Sequence, residues 1–334
     1  MLLDIHLHAS RHSDCSRADP LELIYRALSR DLQGIVFTDH HYLWPEKELA
    51  ELREKSGVGD DFLVLSGQEV STEIGHVLVY GADRLIPEKI PLEKLRRDFP
   101  DAALVWAHPF RGGRIPGEDE LRSPLLDAVE IFNLNHTMNE NYRALSAWHR
   151  DRFTAVSGSD AHRVRDGGTF PTLFDHPIGS VKELAAEIRS GRCRPFLKER
   201  AKKGSNIVVE EITLGTKGDE ESRIRMIVKK VSEKKKWKRE RRTLDLVSRV
   251  RDSGFAEGRF RVPRIVDIDE ESRLIIEEGQ RGKSLYDLLK NVDESVGLNY
   301  FRMAASWLAR LHNLGLRLGS VKKKKNRKKK RFIS

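Results

Sequence analysis

The chain has 334 residues, of which 39% are hydrophobic and 34% charged, with a formal net charge of +10 at pH 7. That length has room for two domains. No apolar run reaches the roughly 18 residues of a membrane span, so no membrane partner is expected. Two cysteines, Cys15 and Cys193, are too few for a disulfide framework, which fits a reducing cytoplasm. The charge sits at the end of the chain, because Lys322 to Arg331 carries nine positive charges and leaves only +1 for the rest. The first ligand-like residue is already His6, so no signal peptide is expected ahead of the fold and Met1 is taken as the native start.

The first 200 residues alternate short apolar strands with helical patterns. Met1 to Leu7 reads as a strand. Asp19-Pro20 then supplies a cap and a first-turn proline for a helix over Leu21 to Ser29. Gly34 to Thr38, Phe62 to Ser66 and His76 to Tyr80 read as strands, with a helix over Glu46 to Lys55. Ala103 to Ala107, Val129 to Phe132 and Phe153 to Ser157 continue the series, for seven strands in all. A helix from Ser180 to Ser190, stopped at Gly191, closes it. Lys198 to Gly204 reads as a charged loop. Beyond it come a hairpin-like pair (Ile207 to Thr213, Ile224 to Val231), a helix (Lys238 to Val250), a strand (Arg273 to Glu277) and a helix (Tyr300 to Asn313). The tail KKKKNRKKKR has no apolar content and is expected to be disordered unless bound.

Eleven of the twelve histidines lie in the first 176 residues, and most follow apolar runs beside Asp or Glu. In His6-Leu7-His8, alternate residues of a strand point the same way, so two imidazoles can reach one ion. Taken alone an HxH is as easily incidental. Asp14 lies in a polar loop, where a turn-forming Asp is the plain reading. Thr38-Asp39-His40, Gly67-Gln68-Glu69, Ala107-His108-Pro109 and Gly158-Ser159-Asp160-Ala161-His162 each end a predicted strand in ligand chemistry. Strand ends converge on one rim in barrel and doubly wound folds, which would gather ligands 150 residues apart. The predicted fold class is therefore α/β, with a distorted barrel favoured over an open sheet. Imidazole and carboxylate donors suit zinc, manganese or iron. His76 opens a strand and is expected to contact substrate or support a ligand. His136 ends Asn133-Leu134-Asn135-His136 and reads equally well as a solvated loop histidine. His41, His149 and His176 read as surface residues. Cys15 could be a soft ligand, although a packed or exposed thiol is the favoured reading.

This ordered series resembles the PHP family, named for polymerase and histidinol phosphatase, over residues 1 to about 200. The resemblance implies a distorted (β/α)7 barrel holding two or three divalent ions, and hydrolysis of phosphate esters. It implies that His6, His8, Glu69 and Asp160 bind a first ion. Glu69 would bridge to a second, held also by His108 and His136, and Asp14, His40 and His162 would hold a third. Some relatives carry a histidine where Asp14 stands, which leaves the third ion less defined. Paired ions of this kind activate a water and clamp both oxygens of an in-line displacement. Arg111, three residues beyond His108, and Arg17 are candidates for phosphate oxygens, weighed against ordinary surface arginines.

Residues about 205 to 318 resemble the N-terminal lobe of an aminoglycoside-phosphotransferase or protein-kinase-like fold. Lys230, within Ile227-Val228-Lys229-Lys230-Val231, would match the nucleotide-phosphate lysine, with Glu240 as its partner. Leu274-Ile275-Ile276-Glu277-Glu278, then Gly282-Lys283-Ser284-Leu285, resembles the hinge and the element after it. Leu308-Ala309-Arg310-Leu311-His312 resembles the helix before the catalytic loop. No HxD-type loop or later metal-binding Asp comes after these, so this part is expected to be catalytically silent. The organisation expected is a metallohydrolase domain (1–200), a partial kinase-like lobe (205–318) and a Lys-rich tail (319–334). The leading functional expectation is a phosphoesterase acting on a small phosphorylated substrate. The alternative is a non-catalytic, metal-stabilised binding or regulatory module, whose kinase-like lobe and basic tail engage a nucleotide, nucleic acid or protein.

Overall fold

The structure, a computed structural model, describes residues 1–87, 89–204, 207–215, 224–280, 284–290 and 292–316. The Lys-rich tail and the Gly282-Lys283 pair lie outside the described residues. The chain divides into two compact units, one of residues 1–202 with 210–227 and one of residues 203–209 with 228–334.

The N-terminal part is a mixed α/β fold. Strand β1 (Leu2–Leu7) leads to helix α1 (Pro20–Leu28), then β2 (Gly34–Phe37), α2 (Glu46–Ser56), β3 (Leu63–Ser66), β4 (Gln68–Thr72) and β5 (Gly75–Tyr80). After α3 (Leu92–Asp98) come β6 (Ala103–Trp106), the short α4 (Glu118–Leu121) and β7 (Ala128–Phe132). Helix α5 (Met138–Asp151), β8 (Ala155–Ser157), β9 (Thr172–Phe174), α6 (Val181–Arg189) and β10 (Cys193–Pro195) complete it. The strands form two five-stranded sheets, in the orders β10-β9-β1-β2-β3 and β4-β5-β6-β7-β8. Within them β1-β2-β3 and β6-β7-β8 run parallel, while β5 is antiparallel to both β4 and β6. Two isolated parallel bridges, Leu7 to Ala161 and His40 to Glu69, tie one sheet to the other at the end where the candidate ligands lie.

Local chemistry explains most of these elements. Asp19 caps α1 by accepting from the Leu21 and Glu22 amides, with Pro20 in the first turn. Ser180 caps α6 in the same way, and Gly191, at φ 65°, ends it. The central parallel strands are buried on both faces, which accounts for continuous runs such as Ala103–Trp106. Leu3, Ile5, Val36, Leu78, Val105 and Val156 from the strands pack with Leu184, Ala185 and Ile188 of α6.

The structure corrects several expectations. The stretch expected to be a charged loop from Lys198 is strand β11 (Leu197–Lys203), which pairs with β12 (Ile207–Leu214). The seven expected strands become ten through Cys193–Pro195. The additions β9 and β10 have three residues each, too few to show an alternating pattern, and β4 carries the polar sequence QEVST. Glu69 therefore lies within β4, two residues past a break after β3, and not at the end of the preceding strand. Helices α3 and α5 are also new; α5 is announced by a Thr137/Glu140 capping box.

Strand β13 (Ile224–Val231), whose last four residues fall in the second unit, β15 (Leu274–Glu278) and β14 (Ile265–Asp269) are neighbours in that order. Helix α7 (Lys234–Val250) comes after β13, and α8 (Leu285–Leu289) and α9 (Glu294–His312) come after β15. Trp237 and Leu244 of α7 pack against Val231 and Ile275. Among the described residues no helix is long and apolar enough to cross a membrane.

Truncating Leu184, fully buried beneath the sheet, should cost about 2 to 5 kcal/mol. The exposed Leu85 should lose less than about 0.5 kcal/mol on the same change. Urea unfolding of Leu184→Ala and Leu85→Ala checks the difference.

Candidate metal centre

The loops and strand ends of the first unit bring six imidazoles and two carboxylates together. His6 lies in β1 and His8 just past its end, with Leu7 between them turned into the core as strand alternation requires. His40 lies just past β2, Glu69 sits in β4 and His76 in β5; His108 lies past β6, and Asp160 and His162 past β8. His6, His8, Glu69 and Asp160 are all buried, and one ligand atom from each lies within 4.8 Å of the others.

Glu69 is shared. Its Oε2 lies 3.0 Å from His8 Nε2, 3.3 Å from His6 Nε2 and 3.5 Å from His40 Nε2. Its Oε1 lies 2.7 Å from His76 Nδ1 and 3.0 Å from His108 Nε2. Glu69, His76 and His108 accordingly make a second group of metal-capable donors. A third comprises His8, Cys15 and His162.

The opposing carboxylate, Asp160, divides its two oxygens by task. Oδ2 accepts from the side-chain amides of Asn135 (2.8 Å) and Asn133 (3.3 Å). Oδ1 faces His8 Nε2 at 3.3 Å and His6 Nε2 at 3.5 Å. A wholly buried Glu130 supports both sides: Oε1 contacts His6 Nδ1 at 2.9 Å, and Oε2 accepts from the His108 amide and from Asn133, each at 2.9 Å. With Nδ1 engaged, the His6 ring presents Nε2 to the cluster, the usual way an outer carboxylate orients a metal-binding imidazole.

Other buried groups hold the backbone that carries the ligands. Asp4 accepts from the Ser159 amide and hydroxyl (3.0 and 2.5 Å) and from the Gly168 amide (2.8 Å), pinning β1 to the Asp160 segment. Burial raises the Asp4 carboxyl above its ordinary range. Asp39 accepts from the Ala9 amide, the Ser13 hydroxyl and Trp44 Nε1 and so fixes the loop after His8. Gly158 is required by space, because a Cβ there would lie 2.3 Å from the Cβ of His6.

Charges in the cluster hold one another. Burial disfavours the imidazolium of His6, but Glu130, Asp160 and Glu69 outweigh it and raise its pKa well above 6.5. For His8, burial is likewise outweighed by Asp160 and Glu69, and its pKa is pushed up to about 9. Burial pushes the Glu69 carboxyl up, but His6, His108 and His76 hold it well below its ordinary value. Burial acts on Asp160 in the same direction, and His6 and His8 again outweigh it and depress the carboxyl. Protons on the imidazoles thus balance the buried carboxylates, as a divalent cation held by these donors would.

The donors fit divalent metal. Both ring nitrogens of His8 are buried with no hydrogen-bond partner, and His136 Nε2 is in the same condition. Buried polar atoms are normally paired, so unpaired ones directed at carboxylates suit ligation. Nitrogen and oxygen donors of this mix match zinc, manganese and iron.

Of the remaining candidates, His136 is buried, not solvated, with Nδ1 3.3 Å from Asn141 Oδ1, and lies outside the three metal-capable groups. Asp14 is exposed and also lies outside them, whereas its neighbour Cys15 lies within one. Arg111 is exposed, with its amide on the His108 carbonyl (3.1 Å); Arg17 is exposed, with its amide on the His162 carbonyl (2.9 Å). In the second unit the lysine that pairs is Lys229, whose Nζ is 2.7 and 2.8 Å from the Glu277 carboxylate; Lys230 is exposed and Glu240 half-buried on α7. Sequence reasoning missed Glu130, and it offered Asn133 and Asn135 as possible donors beside His136, whereas here both donate to Asp160. The signal for Glu130 was a carboxylate in the middle of the apolar strand AVEIF.

Residues 139–193, from α5 to the start of β10, match the family model described as PHP-associated. No curated protein matches the chain. Among solved structures, PsfC from Pseudomonas syringae PB-5123 is 15% identical and aligns over 58% of this chain and 90% of its own, with a TM-score of 0.44. A Bifidobacterium adolescentis protein, provisionally named a metal-dependent phosphoesterase, is 16% identical over 49% of this chain and 88% of its own (TM-score 0.38). An amidohydrolase from Chromobacterium violaceum, with bound sulfate and no metal, is 17% identical over 48% of this chain and 87% of its own (TM-score 0.36).

Two substitutions should separate ligand support from packing. Glu130→Gln is expected to weaken metal binding by about 10- to 100-fold with the circular dichroism spectrum unchanged. Gly158→Ala is expected to lower both metal content and the unfolding midpoint, because the methyl displaces His6. Metal titration and thermal unfolding of the two variants read these outcomes.

Proposed function

We propose that residues 1 to about 200 form a metal-dependent phosphoesterase of the PHP type that hydrolyses the esters of small phosphorylated substrates. One observation carries this reading: the two oxygens of Glu69 are divided between two sets of imidazoles, His6, His8 and His40 on one side and His76 and His108 on the other. A structural zinc site closes around four protein groups, whereas this cluster spreads more donors over more than one position. The PHP-associated match at 139–193 supports the same reading. The two bridges between the sheets support a distorted (β/α)7 barrel, in which β3 and β4 act as one bent strand.

Divalent zinc, manganese or iron bound there would supply Lewis acidity and a water of lowered pKa. His6, His8, Glu69 and Asp160 would hold one ion, and Glu69 and His108, with His136 behind them, a second. Asp14, His40 and His162 are the donors assigned to a third. The chain's own groups do the rest. His40, His76 and His162 are the partly exposed members of the cluster and define its open side, where substrate would enter. His76 donates a hydrogen bond to a phosphate oxygen from that side. Arg111 and Arg17, tethered by their amides to ligand-bearing segments, neutralise the remaining phosphate charge through planar guanidinium groups.

The C-terminal unit we read as a catalytically silent, kinase-like module, supported by the order of β13, α7, β14 and β15 and by the Lys229–Glu277 pair in place of a Lys230–Glu240 one. Two free cysteines support a reducing compartment.

The test is phosphate release from a panel of phosphorylated metabolites and nucleotides by protein loaded with each metal. His8→Ala should lose bound metal and lower kcat by at least about 100-fold, since it removes a group the cluster shares. Fully metal-loaded protein that releases no phosphate from any member of the panel overturns the reading.

A further inference from the structure

We propose that Cys15 is a metal ligand, its thiolate joining His162 and His8 to hold a divalent cation in a soft-donor site beside the Glu69 cluster. This rests on the metal-centre reading above and adds a donor that the family resemblance does not supply. One ligand atom each from His8, Cys15 and His162 lies within 4.8 Å of the others. Ligands of a single tetrahedral zinc ion are about 3.3 to 3.6 Å apart, from bond lengths near 2.0 Å to nitrogen and 2.3 Å to sulfur. Small side-chain rotations close that gap.

The thiol does not stand alone. His8 is fully buried, its Nε2 faces Glu69 and Asp160 and its Nδ1, 4.0 Å from Asp39, makes no hydrogen bond, and its ring packs against that of His162 with centroids 4.6 Å apart. The loop that carries Cys15 is fixed from both sides. Ser13 donates to Asp39, and Ser16 donates to the His8 carbonyl at 2.7 Å. The Arg17 amide bonds the His162 carbonyl at 2.9 Å, so the residue two on from Cys15 is tied to the segment that supplies the second imidazole. Cys15 itself is exposed and so has no role as core packing, whereas Cys193 is buried in the sheet core. Asp14, the neighbouring carboxylate, is exposed and outside this group of donors.

A thiolate with two imidazoles favours zinc or cobalt over manganese, because sulfur is a soft donor. Ligation releases to the buffer the thiol proton and the protons of His8, whose imidazole would serve this ion and the one at Glu69 through its two separate ring nitrogens. Three protein donors leave a fourth position open to water or a phosphate oxygen.

Cobalt(II) substitution tests this with a readout independent of turnover. The full-length protein is stripped with a chelator and reloaded with cobalt, bound metal is counted by mass spectrometry, and the near-ultraviolet thiolate-to-cobalt charge-transfer band is recorded. The band is expected in the unmodified protein and in Cys193→Ser, which retains Cys15. It is expected to vanish in Cys15→Ser, which retains Cys193, and to weaken in His162→Ala. The Cys15 thiol should react with Ellman's reagent when stripped and be protected once reloaded. Cobalt bound with no such band, or a band that survives Cys15→Ser, overturns the thiolate site while leaving the Glu69 centre intact. Failure to bind any cobalt overturns both.

Discussion

The fold of the first unit depends on a buried carboxylate, Glu69, that lies within 3.5 Å of five imidazoles. An isolated buried carboxylate is expensive, and it persists only where positive charge or hydrogen bonding compensates it. Here the compensation comes from β1, the segment after β2, β5 and the segment after β6, so every sheet strand near the cluster must arrive in register for Glu69 to be tolerated. The bridge from His40 to Glu69 shows that the backbone meets this demand directly. The same imidazoles repel one another when protonated, so the arrangement is balanced rather than merely attractive: carboxylates at Glu69, Asp160 and Glu130 surround His6 on three sides. A divalent cation bound there would take the place of protons in this balance.

Precision comes from the groups behind the ligands. Glu130 links His6 to the His108 backbone and to Asn133, and Asn133 in turn reaches Asp160. A single buried side chain thereby couples ligands from β1, the segment after β6 and the segment after β8. Such a network is costly if one member is missing, because each neighbour is then left unpaired in a low-dielectric interior. Asp4 and Asp39 fix the Ser159 and Ala9 segments between which the cluster lies, and Asp39 Oδ1 also stands 4.0 Å from His8 Nδ1. These two buried aspartates therefore scaffold the segments that carry the clustered side chains.

How much of this could be read from the sequence depends on the range of the forces involved. His6 and His8 are legible because strand alternation is local and puts both rings on one face. Asp160 and His162 are legible for a related reason, as an acidic and an imidazole group two residues apart after an apolar run. Asp19-Pro20, Ser180 and Gly191 announce helix ends through bonds within four residues. Glu69 was expected at the end of a strand but lies inside β4, because the partner that makes QEVST a strand is β5, and the Glu69 side chain faces the cluster rather than an apolar core. Glu130 escaped notice because its partner His6 is 124 residues away, and Asn135 is readable only as a possible donor because Asp160, which it supports, is 25 residues on. Of the adjacent Asp14 and Cys15 the sequence favours the carboxylate as a metal donor, whereas the path of the loop, tied through Ser13 to Asp39 and through Arg17 to His162, brings Cys15 within reach of His162. In the C-terminal unit Lys229 and Lys230 are adjacent in the same way, and strand alternation places just one of them beside Glu277.

Backbone conformation gives the last constraint. His108 and Asp160, two of the proposed ligands, both adopt left-handed φ, at 35° and 49°. Residues with a Cβ pay about 1 to 3 kcal/mol for such a conformation, and neither is a glycine. Each is stabilised by a bond that reaches into the cluster: the His108 amide donates to Glu130, and the Asp160 amide donates to the His6 carbonyl at 2.7 Å. Extended backbone at either position would carry the side chain on along its strand direction and away from the cluster. A fold under no demand other than stability would place Gly or Asn at such turns. That an imidazole and a carboxylate stand there instead, both turned into the same group of buried donors, means that the geometry of the cluster outweighs the local preference of the chain.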